Sequence, residues 1–382
     1  MKALHIITGL GAGGAEQQLR LLVRHLPGTH DVLTLTNPGQ VATGLRQDGV
    51  RVAHLGMAGN RDARALPRLV RFVRDGRYDL VHTHLYRACL YGRVAARMAG
   101  VRAVVATEHS LGDEQIEGRA LTPGVRALYL AGERLGRATI AVSPAVAERL
   151  RRWGVAPHRV HVVPNGVDVP RFAFDAAARA ATRRELGLPA DAFVIGGVGR
   201  LVAGKRFDVL IDALRDLPGD VRLLLVGTGP EEQVLRRAAR RADVSDRVVL
   251  AGERPHTATG IGPPGAVIDL PALMSAMDVL ASPSADEAFG LAVVEAQASG
   301  LPVLYVSCPA VDDLPAGIGA HAARLPCAPS AFVREVTRTR AESAGPRSPS
   351  QAALHYSIAG SAALHHEVYA TALGAPTPGV MT

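Results

Sequence analysis

The first 170 residues alternate short apolar runs with amphipathic segments of helical period. The candidate strands are residues 3–8, 31–36, 51–55, 80–84, 103–108, 139–142 and 160–163. Helical periodicity occupies residues 15–26, 65–74, 88–98, 125–136 and 145–153. Strands that alternate with helices at this spacing predict a parallel sheet with helices on both faces.

A second series of the same kind begins at Phe193. Its candidate strands are residues 193–198, 222–226, 248–251, 279–281 and 303–306, and its helices lie near 205–217, 231–242, 271–276 and 291–299. Pro164-Asn165-Gly166 is a strong turn signal, and we interpret residues 173–185 as a linker. The pattern predicts an α/β fold of two domains, with ligands bound in a cleft at the carboxyl ends of the strands.

Composition supports a globular protein of about two domains. The chain has 382 residues, of which 48% are hydrophobic and 20% charged. The three cysteines, Cys89, Cys308 and Cys327, form no disulfide framework, which fits a reducing cytoplasm. We expect no signal peptide and no membrane-spanning helix. The net charge of +8 is spread along the chain, so we expect no nucleic-acid partner, and contact with the inner face of the membrane stays open.

Gly9, Gly11 and Gly14 form a G-x-G-x-x-G pattern directly after the first strand. This spacing is the dinucleotide-binding fingerprint, in which an acidic residue about 20 positions later holds the ribose. Here the second strand ends in Thr36-Asn37, without that acid. The missing acid disfavours NAD as the ligand. Two interpretations of the glycine loop stay open: a tight turn without a ligand, and a loop whose backbone approaches a sugar or a phosphate.

Two cations lie at the start of the second domain. Arg200 follows the strand 193–198, and Lys205 opens the next predicted helix. Only Lys2 and Lys205 among 43 basic residues are lysine, which favours a specific role for Lys205. An arginine guanidinium binds two phosphate oxygens at once, a lysine ammonium supplies a point charge, and the free backbone amides at a helix N-terminus donate hydrogen bonds to an anion. We predict a diphosphate site, with a solvated surface pair as the alternative.

Two carboxylates, Glu287 and Glu295, lie eight residues apart. We expect Glu287 in a loop after a strand and Glu295 about two turns into the following helix, on the same side. A carboxylate bridges vicinal hydroxyls such as those of a ribose or a hexose. The alternative is a capped surface helix.

Several short motifs occur along most of the chain in a combination more specific than any one of them. They are Gly13-Gly14-Ala15-Glu16, Val163-Pro164-Asn165-Gly166-Val167-Asp168, Gly199-Arg200 with Gly204-Lys205, Leu225-Val226-Gly227-Thr228-Gly229-Pro230, Glu287 with Glu295, and Ala298-Ser299-Gly300-Leu301-Pro302. Together they resemble the family 4 glycosyltransferases of GT-B fold, in which two Rossmann-like domains face an interdomain cleft. The resemblance implies an acceptor-binding domain at 1–172, a nucleotide-sugar-binding domain at 185–350 and a segment 351–382 whose helix crosses back to the first domain.

The resemblance also implies roles for individual residues. Arg200 and Lys205 would hold the donor diphosphate, Glu295 the ribose and Glu287 the donor sugar. Backbone amides at Phe289, Gly290 and Leu291 would face the sugar or the phosphate, Gly13 and Gly14 would lie near the diphosphate, and His109 would lie near the transferred sugar. The implied catalytic residues are His109, Glu287, Arg200 and Lys205.

Residues that follow the fourth strand are candidates for acceptor contact. They are His84, Tyr86 and Arg87. His82 and His84 lie on one face of the strand and form a candidate metal pair, which we disfavour because the sequence indicates no third ligand. Plain packing of these histidines is the remaining alternative.

The expected function is retaining transfer of a hexosyl or N-acetylhexosaminyl group from a nucleotide-sugar, with UDP favoured. The resemblance implies no metal and no cofactor besides the donor, and the sequence contains no D-x-D motif. The acceptor would be a small molecule, a glycan or a lipid-linked compound. A UDP-sugar 2-epimerase or hydrolase and a non-catalytic nucleotide-sugar-binding protein stay open. The segments 256–268 and 305–315 depart from the family pattern, and the oligomeric state is not predicted.

Overall fold

A computed structural model describes residues 1–374 apart from 12, 60–61, 63, 112–114, 117–118, 254–268 and 343–344. The chain divides into two compact units. The first comprises Met1–Gly166 together with Ile358–Thr382, and the second comprises Val167–Ser357. The segment 256–268, which departs from the family pattern, lies outside the described residues.

The first unit contains a seven-stranded parallel sheet in the order β3-β2-β1-β4-β5-β8-β9. Its strands are β1 Lys2–Gly9, β2 Thr29–Asn37, β3 Arg51–His54, β4 Leu80–His84, β5 Ala103–Glu108, β8 Ala138–Ala141 and β9 Val160–Val162, and a small antiparallel pair is formed by β6 Gln115–Ile116 and β7 Arg119–Ala120. All seven predicted strands of this unit are confirmed within two residues at each end. β4 and β5 are wholly buried, and five of the eight residues of β1 are buried, so both faces of these central strands are covered.

Among the described residues that precede the second unit, six α-helices accompany this sheet. They are α1 Gly14–Val23, α2 Gly39–Gln47, α3 Ala65–Gly76, α4 Tyr86–Met98, α5 Pro123–Glu133 and α6 Pro144–Trp153. Local chemistry explains where two of them begin. The hydroxyls of Thr122 and Ser143 accept the amides of Val125 and Val146, at the starts of α5 and α6.

The second unit contains a six-stranded parallel sheet in the order β12-β11-β10-β13-β14-β15. Its strands are β10 Phe193–Val198, β11 Val221–Val226, β12 Val248–Gly252, β13 Val279–Ser282, β14 Val303–Tyr305 and β15 Ala322–Arg324. Its helices are α7 Ala176–Glu185, α8 Asp208–Leu214, α9 Glu232–Arg241, α10 Leu270–Ala276, α11 Leu291–Ala298, α12 Pro309–Asp312, α13 Pro329–Ala341 and α14 Gln351–His355. The predicted architecture of two α/β units with parallel sheets is confirmed.

The interpretation of residues 173–185 as a linker was wrong, because most of this segment is the docked helix α7. Asp175 caps the helix by accepting the amides of Ala177 and Ala178 at 2.8 and 3.0 Å. Arg179 and Arg183 each donate to the carboxylate of Asp278 at 2.7 Å, and α7 packs on α10. A polar, alanine-rich sequence therefore folds here because its arginines bind one carboxylate beside β13.

The last helix, α15 Ile358–Leu373, belongs to the first unit. Its buried Ala362, Val368 and Tyr369 pack in one hydrophobic cluster with residues of the sheet, among them Leu80 and Val105. Gly166 leaves room for the start of this helix, because a Cβ there would lie 2.5 Å from the Cα of Ile358. Among the described helices, none is both long and apolar enough to cross a bilayer.

Candidate functional site

Two loops of the second unit meet at the carboxyl ends of β10 and β11. The amide of Gly199 donates to the carbonyl of Val226 at 3.0 Å, and the amide of Leu201 donates to that of Thr228 at 2.9 Å. Gly227 has a φ of +135°, and a Cβ there would clash with the carbonyl oxygen of Gly199. The glycine is therefore required for the approach of the two loops, which fixes the backbone that carries Arg200.

Lys205 ends a short 3-10 helix, Ala203–Lys205. The helix α8 begins only at Asp208, and Arg206 between them has a left-handed φ of +52°. The prediction that Lys205 opens an α-helix was therefore wrong. The stem of Lys205 passes over Gly199, where an added Cβ would lie 3.4 Å from its Cε.

The ammonium group of Lys205 forms an ion pair with the carboxylate of Glu287. A second contact joins the same two loops, because the Ser284 hydroxyl lies 3.3 Å from the carbonyl of Gly204. Both charged side chains are mostly covered, with 27% of the lysine and 16% of the glutamate side chain exposed. Two predicted site residues, 82 positions apart in sequence, are therefore in direct contact.

Arg200 presents a different situation from Lys205. Its side chain is exposed, and within the described residues it forms no ion pair. The guanidinium is therefore free to bind an anion from solution without first breaking a recorded contact. The structure records no direct contact between Arg200 and Lys205.

The loop after β13 leads through Phe289 and Gly290 into α11, which begins at Leu291. Gly290 has a φ of +97°, and a Cβ there would clash with the sulfur of Cys308. The Cys308 thiol in turn donates to the carbonyl of Phe289 at 3.5 Å. Burial and the nearby Glu287 raise the pKa of this thiol, so Cys308 acts here as a packed neutral group. The segment 305–315 thus supports the loop of predicted donor contacts.

Glu295 lies a little more than one turn into α11, so the expectation of two turns was wrong. Its side chain is buried, with 6% of the residue exposed, and burial raises its pKa to about 8. The charge of Arg171 opposes this shift. Arg171 belongs to the 3-10 helix Val169–Phe172, which packs on α11, and its guanidinium lies 3.5 Å from the carboxylate of Asp269. Sequence reasoning did not identify Arg171 as a neighbour of Glu295.

In the first unit, the glycine loop after β1 forms the entry to α1. Gly13 precedes the helix, and its carbonyl accepts the amide of Gln17 at 3.1 Å, while Gly14 is the first helical residue. A related close approach lies beside them. Gly39 has a φ of +53°, and a Cβ there would clash with the carbonyl of Leu10. The loops after β1 and β2 are therefore packed against each other through their backbones.

Of the three candidate acceptor residues, two are buried and one is half-buried. His84 is buried, and its two ring nitrogens lie 3.1 Å from His5 and 3.2 Å from His109. Tyr86 is buried at the start of α4, and Arg87 is half-buried. His109 itself, directly after β5, is half-buried. Both ring nitrogens of His84 are therefore already hydrogen-bonded within the protein.

The expectation that no third ligand accompanies His82 and His84 was wrong. His5 joins them, and one ring nitrogen of each lies within 4.8 Å of the others. All six nitrogens are nevertheless hydrogen-bonded, His82 to the hydroxyls of Tyr369 at 2.6 Å and Thr107 at 2.7 Å. A metal ion would have to replace several of these bonds. Packing within a buried polar network is the arrangement that the structure supports.

Burial lowers the pKa values of these histidines. The pKa values of His5, His82 and His84 lie well below the ordinary value of 6.5, that of His109 falls to about 3, and that of His365 on α15 falls to about 4. The five rings are therefore neutral at pH 7, in agreement with their hydrogen bonds to one another and to uncharged groups.

Two protein families match the chain in succession. Residues 12–171 match the family described as Glycosyltransferase Family 4, and residues 178–314 match the family described as Glycosyl transferases group 1. The two matches follow the division between the two units, and the second contains Arg200, Lys205, Glu287 and Glu295.

Among curated relatives, the D-inositol 3-phosphate glycosyltransferase of Xylanimonas cellulosilytica is 35% identical over 246 residues, which cover 60% of this chain and 56% of the relative. The UDP-Gal:alpha-D-GlcNAc-diphosphoundecaprenol alpha-1,3-galactosyltransferase of Escherichia coli is 29% identical over 251 residues, covering 64% and 62%. The chain thus spans less than two thirds of the length of these relatives.

A solved structure resembles the chain over almost its whole length. The crystal structure of Anabaena Alr3699/HepE in complex with UDP and glucose has a TM-score of 0.82 at 22% identity and covers 97% of this chain and 100% of that one. At this identity the likeness concerns the fold alone, and it agrees with the GT-B architecture expected from the sequence.

Proposed function

Because this chain belongs to the family 4 glycosyltransferases of GT-B fold, we propose that it transfers a hexosyl or N-acetylhexosaminyl group from a UDP-sugar to a hydroxyl acceptor. The observation that carries the proposal is the ion pair between Lys205 and Glu287 at the carboxyl edge of the second sheet. These are the residues to which the family resemblance assigns the donor diphosphate and the donor sugar.

The cations of this site suit a departing diphosphate. Lys205 is held next to Glu287, and the exposed Arg200 is able to bind phosphate oxygens in a bidentate manner. In the proposed reaction the bond between the anomeric carbon and the phosphate oxygen breaks, and UDP departs with the electron pair. The two cations and the amides at the start of α11 stabilise that charge without a metal ion.

The same step gives retention of configuration. The acceptor hydroxyl attacks the anomeric carbon on the face from which UDP departs, and its proton passes to the departing phosphate oxygen. We assign His109 to contact with the transferred sugar, as the family resemblance implies. Glu287 is assigned to the sugar hydroxyls and not to a covalent intermediate, because its carboxylate is neutralised by Lys205.

The ribose is assigned to Glu295. Its carboxyl group is protonated at pH 7 in the unliganded protein, because burial raises its pKa to about 8. Two vicinal hydroxyls are best bound by an ionised carboxylate, which accepts from both. We therefore expect Glu295 to lose its proton when the donor binds, with the charge of Arg171 stabilising the ionised form.

Names of relatives support UDP as the carrier. The Escherichia coli relative is named for UDP-Gal, and the Anabaena structure contains UDP and glucose. The acceptors named for the relatives differ, an inositol phosphate in one and a lipid-linked GlcNAc in the other. We therefore keep the acceptor class as small molecule, glycan or lipid-linked compound.

The function is tested by following UDP release from a panel of UDP-sugars with an acceptor screen, and by identifying the sugar product by NMR. Lys205→Met should lower turnover by about 10²–10³-fold, because one preorganised charge at the departing group is lost. Lys2→Met is the matched control, since Lys2 is the other lysine of the chain and its ammonium binds the carbonyl of Gly76.

Circular dichroism should show both variants folded. Turnover of Lys205→Met equal to that of the wild type would refute the assignment of this lysine. A product epimerised or hydrolysed in the presence of every acceptor would refute transfer. Activity abolished by a chelator would refute metal independence.

A further inference from the structure

Four histidines form a continuous hydrogen-bonded row through the first unit. His30 Nδ1 lies 3.0 Å from His5 Nε2, His5 Nδ1 lies 3.1 Å from His84 Nε2, and His84 Nδ1 lies 3.2 Å from His109 Nε2. At the far end, His30 Nε2 lies 3.2 Å from the carbonyl oxygen of Pro27. We call these four residues the histidine row.

The row crosses four neighbouring strands on one face of the sheet. The order β2-β1-β4-β5 places a histidine on each of the first three strands, and His109 follows the fourth. The strand register explains this alignment. His30 is paired with Ala3, two residues before His5, and His5 is paired with His82, two residues before His84, so the three histidines share one face of the sheet. The row therefore runs from the amino end of β2 to the carboxyl end of β5, the edge at which ligands of such sheets bind.

The direction of the hydrogen bonds follows from one fixed end. A carbonyl oxygen only accepts, so His30 Nε2 must donate to Pro27, and its Nδ1 must then accept. A neutral imidazole has one donor and one acceptor nitrogen, so each histidine of the row donates from Nε2 and accepts at Nδ1. His5 and His84 both carry the proton on Nε2, and His109 Nε2 donates to His84.

The surroundings keep the row neutral. Near His109 and His84 the titratable neighbours are the buried His82, His365 and Tyr369, and near His30 they are Asp31, His366 and the amino group of Met1. His82, His365 and Tyr369 carry no negative charge at pH 7, so none of these three residues stabilises an imidazolium at His109. Burial lowers the pKa of each histidine of the row, which agrees with four neutral imidazole rings at pH 7.

We propose that the histidine row fixes His109 as the Nε2–H tautomer, so that its Nδ1 always offers a lone pair to a substrate hydroxyl. No described residue forms a hydrogen bond with this Nδ1. His30, His5 and His84 are then positioning residues that act through His109. The identity of the ligand as a sugar hydroxyl rests on the proposed function, but the tautomer is a property of the unliganded protein.

The tautomer determines what His109 does. With Nδ1 unprotonated, His109 orients a bound hydroxyl by accepting its proton as a hydrogen bond. With Nδ1 protonated, it would donate and would select the opposite orientation of the same hydroxyl. Protonation of the ring is opposed by the buried row, so His109 serves as an acceptor and not as an acid across the neutral pH range.

The test is an NMR measurement on the full-length protein labelled with 15N-histidine, at pH 7.5 and without ligand. Two-bond proton–nitrogen spectra distinguish Nε2–H, Nδ1–H and imidazolium forms, and single-site variants assign the signals. All four residues of the row should be Nε2–H. A proton on Nδ1 of His109, or an imidazolium signal from it, would overturn the proposal.

A variant that interrupts the histidine row provides a second test. His5→Phe removes both hydrogen bonds of His5, so the Nδ1–H form of His109 should become detectable and kcat/KM for sugar transfer should fall by about 3- to 10-fold. His5→Gln, whose amide both donates and accepts, should restore most of the activity. His365→Phe is the matched control, because His365 is buried beside the row and its one hydrogen bond among the described residues is to the carbonyl of Ser361.

The outcomes separate this proposal from the proposed function. A shift of tautomer in His5→Phe without any change in kcat/KM would refute the catalytic role of the row. An equal loss of activity in His5→Phe and His365→Phe would reduce the effect to packing and refute it as well. If the wild type transfers no sugar from any donor while His109 is Nε2–H and shifts in His5→Phe, the proposed function fails and the tautomer assignment stands.

Discussion

Replacing Glu295 by glutamine should stabilise the unliganded protein while it weakens donor binding. The carboxyl group is buried in the folded state and its pKa is raised to about 8, against an ordinary value of 4.5. The unfolded chain therefore releases this proton near pH 4.5, whereas the folded protein keeps it up to about pH 8. Folding at neutral pH requires the protonation of a group that is ionised in the unfolded state, which is destabilising.

The magnitude follows from the separation of the two pKa values. One pKa unit corresponds to about 1.4 kcal/mol. Below pH 4.5 the Glu295 carboxyl group is protonated in both states and does not lower the free energy of unfolding. Between pH 4.5 and about pH 8 the free energy of unfolding of the wild type falls by about 1.4 kcal/mol per pH unit. At pH 7 the loss is about 3 kcal/mol, and above pH 8 it levels off near 5 kcal/mol. Glutamine does not titrate, so Glu295→Gln should gain these amounts over the wild type.

The assay is urea unfolding followed by circular dichroism at several pH values between 5 and 9. The difference in free energy of unfolding between Glu295→Gln and the wild type should increase steadily up to about pH 8. Glu367→Gln removes an exposed carboxylate from α15 and should give a difference within about 0.5 kcal/mol at every pH. A difference for Glu295→Gln that does not change with pH would refute the burial of an uncharged carboxyl group.

Two further predictions concern stability. Five histidines with lowered pKa values should make the protein acid-sensitive: His5, His82, His84, His109 and His365. They bind protons only in the unfolded state near pH 5, so stability falls as pH drops below 6.5. His365, with a pKa of about 4, alone costs about 2 kcal/mol at pH 5. Urea titrations at pH 7.5 and 5 with equal stabilities would contradict this. Separately, Gly290→Ala should destabilise by about 1–3 kcal/mol more than Gly317→Ala, because both glycines are left-handed but only Gly290 faces the Cys308 sulfur. Equal decreases in the melting temperature of the two variants would show that the Cys308 side chain moves to accommodate the added methyl group.

Most strands of the two parallel sheets were predicted from the sequence because they contain short, largely apolar stretches, as in β10 and β11. Prediction failed where structure depends on distant partners. The helix α7 has little apolar pattern of its own and is held by the carboxylate of Asp278, a hundred residues later. The three-residue strand β15, Ala-Ala-Arg, has no strand pattern, and it exists because β14 offers an edge.

The candidate site divides in the same way. Residue type and spacing marked Lys205 and Glu287 as candidates, the family resemblance implied their roles, and the fold brings the two side chains into contact. The histidine row was missed, although each of its members lies on or near a predicted strand. Its hydrogen bonds depend on strand order and register, which place His30, His5 and His84 side by side, and neither property is encoded within one segment.

Donor binding by the second unit is the most direct test of the proposed function. Isothermal titration with UDP-sugars, performed in two buffers of different ionisation enthalpy, measures both the affinity and the protons released. We predict binding to the wild type with release of close to one proton at pH 7 as Glu295 ionises, and at least ~10-fold weaker binding by Lys205→Met. Equal affinity of the wild type and Lys205→Met, with no proton released, would contradict the central claim.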